Sequence, residues 1–151
     1  MRDADAFEST RFLGLARSSK RDPYRLSLFA QHLGAGEQPL VFLSIQGGTL
    51  IATDERLLEL RAHLEVHGAW NVKEFQGYAV HRAIDRGTVR ELTHDVQAAQ
   101  DGAGNRRVED RLRLITDEGP VEFLVSKGPE ATLPEDEFLV FRAAVLASQA
   151  K

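Results

Sequence analysis

From Leu58 to His67 apolar and polar residues alternate without a break: Leu58, Leu60, Ala62, Leu64 and Val66 against Glu59, Arg61, His63, Glu65 and His67. A period of two puts successive side chains on opposite faces of an extended strand. Wound as a helix, the same apolar residues scatter around most of the circumference and leave a poor stripe. Thr53, Leu57, Leu60, Leu64 and Gly68 imitate a capped helix. Leu57 is nevertheless the one misfit to the alternation, and the stretch is expected to be a long, half-buried strand. That expectation removes the zinc reading of His63 and His67. Four residues of strand span roughly 13 Å, whereas zinc ligand atoms each lie about 2 Å from the ion. His63 and Glu65 are closer but make only a two-ligand set. No metal site is expected, and both histidines are expected to be solvated.

The neighbouring segments define an order. "DPYRLSLFAQHLG" is a predicted helix, with Asp22 as N-cap, Pro23 at its first position and Gly34 just past its end. Leu26, Phe29, Ala30 and Leu33 give it one buried face. An earlier helix over Phe7 to Arg17 is considered, with Phe12 and Leu15 inward. From Pro39 the period becomes two: "LVFLSIQ", a turn at Gly47-Gly48, "TLIAT", a turn at Asp54-Glu55, and then the long strand. "WNVKEF" follows, then "YAVHRAIDRG", extended or irregular. "RRVEDRLRLIT" and "VEFLVS" are two further strands joined by "DEGP". The chain closes on a predicted helix over 134–149, begun by Pro134. Glu135, Asp136 and Glu137 oppose the positive end of its dipole, and Phe138, Phe141 and Val145 point inward. "TVRELTHDVQAAQDG" stays open: Thr88 to Glu91 is a capping box before a helical stripe at Val89, Leu92, Val96 and Ala99, yet the order of its neighbours asks for a strand with "QDGAGN" as its hairpin loop.

With that segment as a strand, the chain has seven consecutive antiparallel strands before one terminal helix. "LGAGE" ahead of the first strand, "TLIATDERLLEL" across the second turn, and "WNVKEF" soon after then resemble the bacterial pleckstrin-homology-like (PH-like) family. The resemblance covers roughly Leu33 to Gln149. It implies a mainly β fold: a seven-stranded antiparallel barrel over 35–151, capped by a C-terminal helix and preceded by a helical extension over 1–34. It also implies a non-catalytic interaction or assembly scaffold.

The residues bound the function from the other side. No cysteine is present, which excludes disulfides, thiolate metal sites and cysteine nucleophiles. A net charge of −4 gives no electrostatic reason to expect nucleic acid. "MRDADAFESTRF" has acids where a signal peptide needs an apolar core, and "LVFLSI" and "FLVFRAAVLA" are too short to cross a bilayer, so a soluble cytoplasmic protein is expected. Gly34-Ala35-Gly36 and Gly102-Ala103-Gly104 lack the third glycine and the strand-to-helix setting of a dinucleotide loop. No cofactor is expected. Trp70, beside a turn, is expected to pack in the core or at the barrel rim.

Three function classes follow. The first is binding of a protein partner, or of a second copy, through an open sheet edge or the apolar face of the N-terminal helices. The second is contact with an anionic membrane surface through Arg82, Arg86, Arg90, Arg107, Arg111 and Arg113, a group that also includes Arg106. Acids at Asp85, Glu91, Glu109 and Asp110 are interleaved, so a salt-bridged solvated face is the plainer reading. A phosphoinositide cradle is disfavoured, because no Lys or Arg occurs between Leu26 and Glu55 around the first hairpin. The third is an enzyme, which would need a buried, perturbed group such as His81 or His94. The first class is the expectation.

Overall fold

The computed structural model describes residues 2–68, 70, 72–100 and 102–146. Its strands are β1 (Arg11–Leu13), β2 (Pro39–Ile45), β3 (Gly48–Thr53), β4 (Arg56–His67), β5 (Val72–Asp85), β6 (Val89–Gln100), β7 (Arg106–Thr116) and β8 (Gly119–Gly128). Two α-helices, α1 (Pro23–Ala30) and α2 (Glu135–Leu146), flank them. The fold is mainly β. No helix among the described residues is long and apolar enough to cross a membrane.

Strand order is β1-β2-β3-β4-β5 in one sheet and β6-β7-β8 in the other. From β2 onward every pairing is antiparallel; β1 runs parallel to β2. The seven strands are thus divided between two sheets, and no closed barrel forms among the described residues. The break falls between β5 and β6, where the 3-10 turn Arg86–Thr88 carries the chain from one sheet to the other. At the opposite side the first hairpin meets β8, with the Gln46 amide donating to the Leu124 carbonyl (2.8 Å).

Period-two strands need two covers, and the chain supplies both. Val41, Leu43, Leu50, Ala52 and Leu57 face Leu112, Leu114, Phe123 and Val125 of the second sheet, with Phe138, Phe141 and Val145 of α2 closing the same core. The opposite face, with Phe42, Ile51, Leu58 and Leu60, packs on Leu26, Phe29, Ala30 and Leu33 of the α1 region and on Phe7. Leu57, the misfit of the alternation, is explained here: the base of β4 is buried on both sides.

The N-terminal residues are part of this second core, and three details of the sequence reading change there. The considered helix over Phe7 to Arg17 is a 3-10 turn (Ala4–Phe7), the strand β1 and a second 3-10 segment (Gly14–Arg21). Phe12 and Leu13 side with opposite cores, as strand geometry requires, and Leu15 is exposed rather than inward. Gly14 accounts for the switch: its φ is +58°, and a Cβ there would stand 3.3 Å from the Thr132 carbonyl. Its amide donates to Glu137 on α2 (2.7 Å). Helix α1 does begin as read, with Asp22 accepting from the Arg25 amide (3.1 Å), but it ends at Ala30 with Gln31 as C-cap, short of Gly34. Helix α2 begins at Glu135, one residue after the expected Pro134, whose carbonyl accepts from the Phe138 amide (2.9 Å); residues 147–149 of that predicted helix lie outside the described residues.

The "TDER" turn is held by one buried carboxylate. Glu37 accepts from Arg56 Nε and Nη2 (2.9 and 3.0 Å), the Thr53 hydroxyl (2.7 Å) and the Gly34 amide (2.9 Å). Thr53 Oγ in turn accepts from the Glu55 and Arg56 amides, and Asp54 from the Gln38 amide. Burial pushes the Glu37 carboxyl up, but its donors, Arg56 first, outweigh it and hold the group at about 2. Loop 34–38, the β3–β4 turn and the end of α1, through the His32 carbonyl bonded to Arg56, are thereby fixed together.

Candidate functional site

Strand lengths are unequal, and the inequality creates a surface. β3 has six residues and pairs with β4 only from Leu57 to Leu60. β4 and β5 run on together as a two-stranded ribbon, paired as far as His67 and Val72. A ribbon of two strands is marginal in water without cover on at least one face. Its alternation is intact: Ala62, Leu64 and Val66 continue the face that Leu58 and Leu60 present to α1. Across the ladder, Tyr78 stands opposite Ala62 and Phe75 opposite Leu64.

Helix α1 covers only the near end of this face. The Tyr78 ring stacks on Phe29 at 3.9 Å, its hydroxyl accepts from Arg25 Nε (2.7 Å), and its carbonyl meets His32 Nε2 (2.7 Å). Phe75 touches Tyr78 edge-on at 5.3 Å and is 43% exposed. Beyond it Leu64 is 49% exposed, Val66 57% and Trp70, at the tip, 90%. Trp70 is therefore not the rim-packing residue that its type suggested. Tyr24 and Leu28 of α1 join Phe75 and Gly77 around a groove of about 280 Å³. The result is an apolar and aromatic strip that continues the second core past the edge of its helix.

The arginines singled out from sequence divide into separate places. Arg107, Arg111 and Arg113 alternate along the outer face of β7. Arg111 and Arg113 line a shallow groove of about 630 Å³ together with Asp95, Glu109 and Glu122. Arg111 pairs with Glu109 (2.8 Å) and reaches Glu122 (4.0 Å), which holds the Glu109 carboxyl below its ordinary range. Arg90 makes a two-pronged bond to Asp117 (2.6 and 2.7 Å). Arg82 lies on the first sheet, 3.7 Å from the buried Glu59 and over the Phe123 ring. Arg86 sits in the turn between the sheets and donates to the Asp54 carbonyl (3.2 Å). Arg106 lies farther out, beside Ala98 and Ala99.

His63 and Glu65 approach to 4.0 Å, both about half exposed. The His67 side chain lies outside the described residues. No cluster of three or more His, Asp or Glu that could hold a metal occurs among the described residues. Of the two histidines whose burial mattered, His81 is exposed, and the His94 side chain is 5% exposed against the fully buried Asp110. The other Asp110 oxygen accepts from the Thr132 and Leu133 amides (3.1 and 3.0 Å). His94 Nδ1 lies 3.7 Å from Glu135, and its ring packs on Phe138. This polar staple fixes the approach to α2 on the second sheet.

Sequence reasoning missed the ribbon strip. The available signal was the length mismatch between "TLIAT" and the alternation that follows it. No protein-family model, curated protein or solved structure matches this chain.

Proposed function

We propose that this chain is a non-catalytic protein-interaction module of the bacterial PH-like type, and that the outer face of the β4–β5 ribbon is its binding surface. The order of seven antiparallel strands followed by α2, packed against β2, β3 and β6, supports the family likeness. The binding reading is carried by one observation: Leu64, Val66 and Phe75 form an exposed strip continuous with the core under α1, with the exposed Trp70 at the tip of the ribbon. Exposed apolar patches of this kind mark interaction sites in soluble folds. Trp and Tyr, here Trp70 and Tyr24, are the side chains that most often anchor binding energy.

The face of α1 considered as a route to partners is spent on the chain's own sheet, while the open sheet edge, the other route, belongs to β5 of the same ribbon. Contact with an anionic surface has less support. Arg107, Arg111 and Arg113 share a face with Asp95, Glu109 and Glu122, and mixed charge offers little net attraction.

The test is a photo-crosslinker, benzoylphenylalanine, placed at Phe75 and separately at Thr93 on the outer face of the second sheet. Protein adducts from position 75 and none from position 93 are the expected result. Adducts from position 93 alone, or none from either, would overturn the assignment.

A further inference from the structure

The far edge of β5 has no strand partner among the described residues. Of its residues, Lys73 to Gln76 and Ala79 to Ala83 are exposed. We propose that this edge is occupied by β5 of a second copy, running antiparallel about a two-fold axis at Tyr78. The inference rests on the reading of the ribbon as a binding element and assigns its open edge to a second copy.

The register comes from the bulges. Against β4, Tyr78 stands opposite Ala62 while Phe75 stands opposite Leu64, so Gln76 and Gly77 together fill one ladder position. Likewise Val80 stands opposite Leu60 and Arg82 opposite Glu59, leaving His81 as an extra residue. Counted in ladder positions, Phe75 is two steps on one side of Tyr78 and Val80 two steps on the other. A two-fold at Tyr78 therefore sets Phe75 opposite Val80 of the other copy, twice. Both residues lie on the α1 side of the sheet, and both are more than 40% exposed. One step further out, Glu74 stands opposite Arg82 of the other copy, again twice, on the opposite face. The match is apolar with apolar and acid with base.

Gly77 has a φ of +91° and open space where a Cβ would be, so one of the two bulge residues presents no side chain against the incoming strand. An axis through Tyr78 runs perpendicular to the sheet and keeps both α1 helices on one side of it. The exposed strips of the two ribbons then lie on opposite sides of the axis, each beginning beside Val80 of the other copy. A symmetric interface needs such a self-complementary patch, and edge pairing of this kind is the mode by which strands recruit strands.

The experiment uses the full chain. Sedimentation velocity across a wide concentration range is expected to show a monomer–dimer equilibrium, and Val80→Lys or Ala79→Lys to abolish it, since a lysine on a strand edge blocks pairing. Circular dichroism checks that both variants stay folded. The chain has no cysteine, so Phe75→Cys with Val80→Cys gives a clean register test. Four ladder positions apart on one strand, roughly 13 Å, the two thiols cannot join within a chain, because a disulfide needs Cα atoms within about 7 Å. An interchain 75–80 disulfide, mapped by peptide mass spectrometry, is expected. A monomer at every concentration, a dimer that persists in the lysine variants, or a dimer without the 75–80 link would each overturn the inference. Crosslinks from position 75 to a foreign protein, with the pure chain monomeric, would overturn it while leaving the ribbon reading intact.

Discussion

Replacing Glu37 by Gln disturbs the fold at one charged knot, and its cost follows from the geometry. The carboxylate takes four donors, two of them from the Arg56 guanidinium, in a site where its side chain is 1% exposed. A fall from 4.5 to about 2 corresponds to about 3 kcal/mol of stabilisation of the ionised form. Arg56 is 31% exposed, so solvent screening reduces the expected loss at pH 7 to about 2 kcal/mol. For a chain of this size that lowers Tm by roughly 4–8 °C. Because the folded value lies below the unfolded one, the stabilisation is complete above about pH 4.5 and is lost as pH falls towards 2. The gap between wild type and Glu37→Gln should therefore close with acid, with about 1 kcal/mol of it gone by pH 3.5. Urea unfolding at a series of pH values measures this. Equal stability at pH 7, or a gap of constant size down to pH 3.5, would refute the reasoning.

Asp110→Ala leaves His94 and the Thr132 and Leu133 amides without their acceptor in a buried place. It should cost about 1–3 kcal/mol in thermal unfolding, as expected where buried donors lose their acceptor. Amide exchange at Thr132 and Leu133 should accelerate. Phe42→Ala empties a site ringed by Phe7, Phe12 and Phe29 at 5.9, 4.9 and 5.1 Å. It should cost about 3–5 kcal/mol and expose residues before Pro39 to limited proteolysis, whereas an N-terminal segment that merely trails from the sheet would be cut equally in wild type and variant.

The sequence carries some of this plainly and hides the rest for identifiable reasons. β4 was legible because its alternation is long and regular, and all the extra residues of its bulged ladder with β5 belong to β5. β6 looked helical because Val89 and Leu92 are three apart. Both are buried on one face of a strand because the register slips at Arg90, and a bulge changes the parity of a period-two pattern. β1 is only three residues long, too short to display any period. Trp70 was misread because its position depends on β4 and β5 outrunning both β3 and α1, a difference of lengths rather than a local pattern. The arginines were legible as a mixed-charge group, but their separation between β5, the Arg86–Thr88 turn, β6 and β7 belongs to the tertiary fold.

The central claim is that the ribbon strip binds protein. Its most direct test is the native mass of the chain in an extract of its source cells, measured by sizing with immunodetection, for wild type and for Leu64→Lys with Phe75→Lys. Both positions are about half exposed, so the variant should fold. The account predicts that wild type travels well above its 16.8 kDa monomer mass and that the variant returns to it. Both proteins at the monomer mass, or both in the same larger complex, would contradict it.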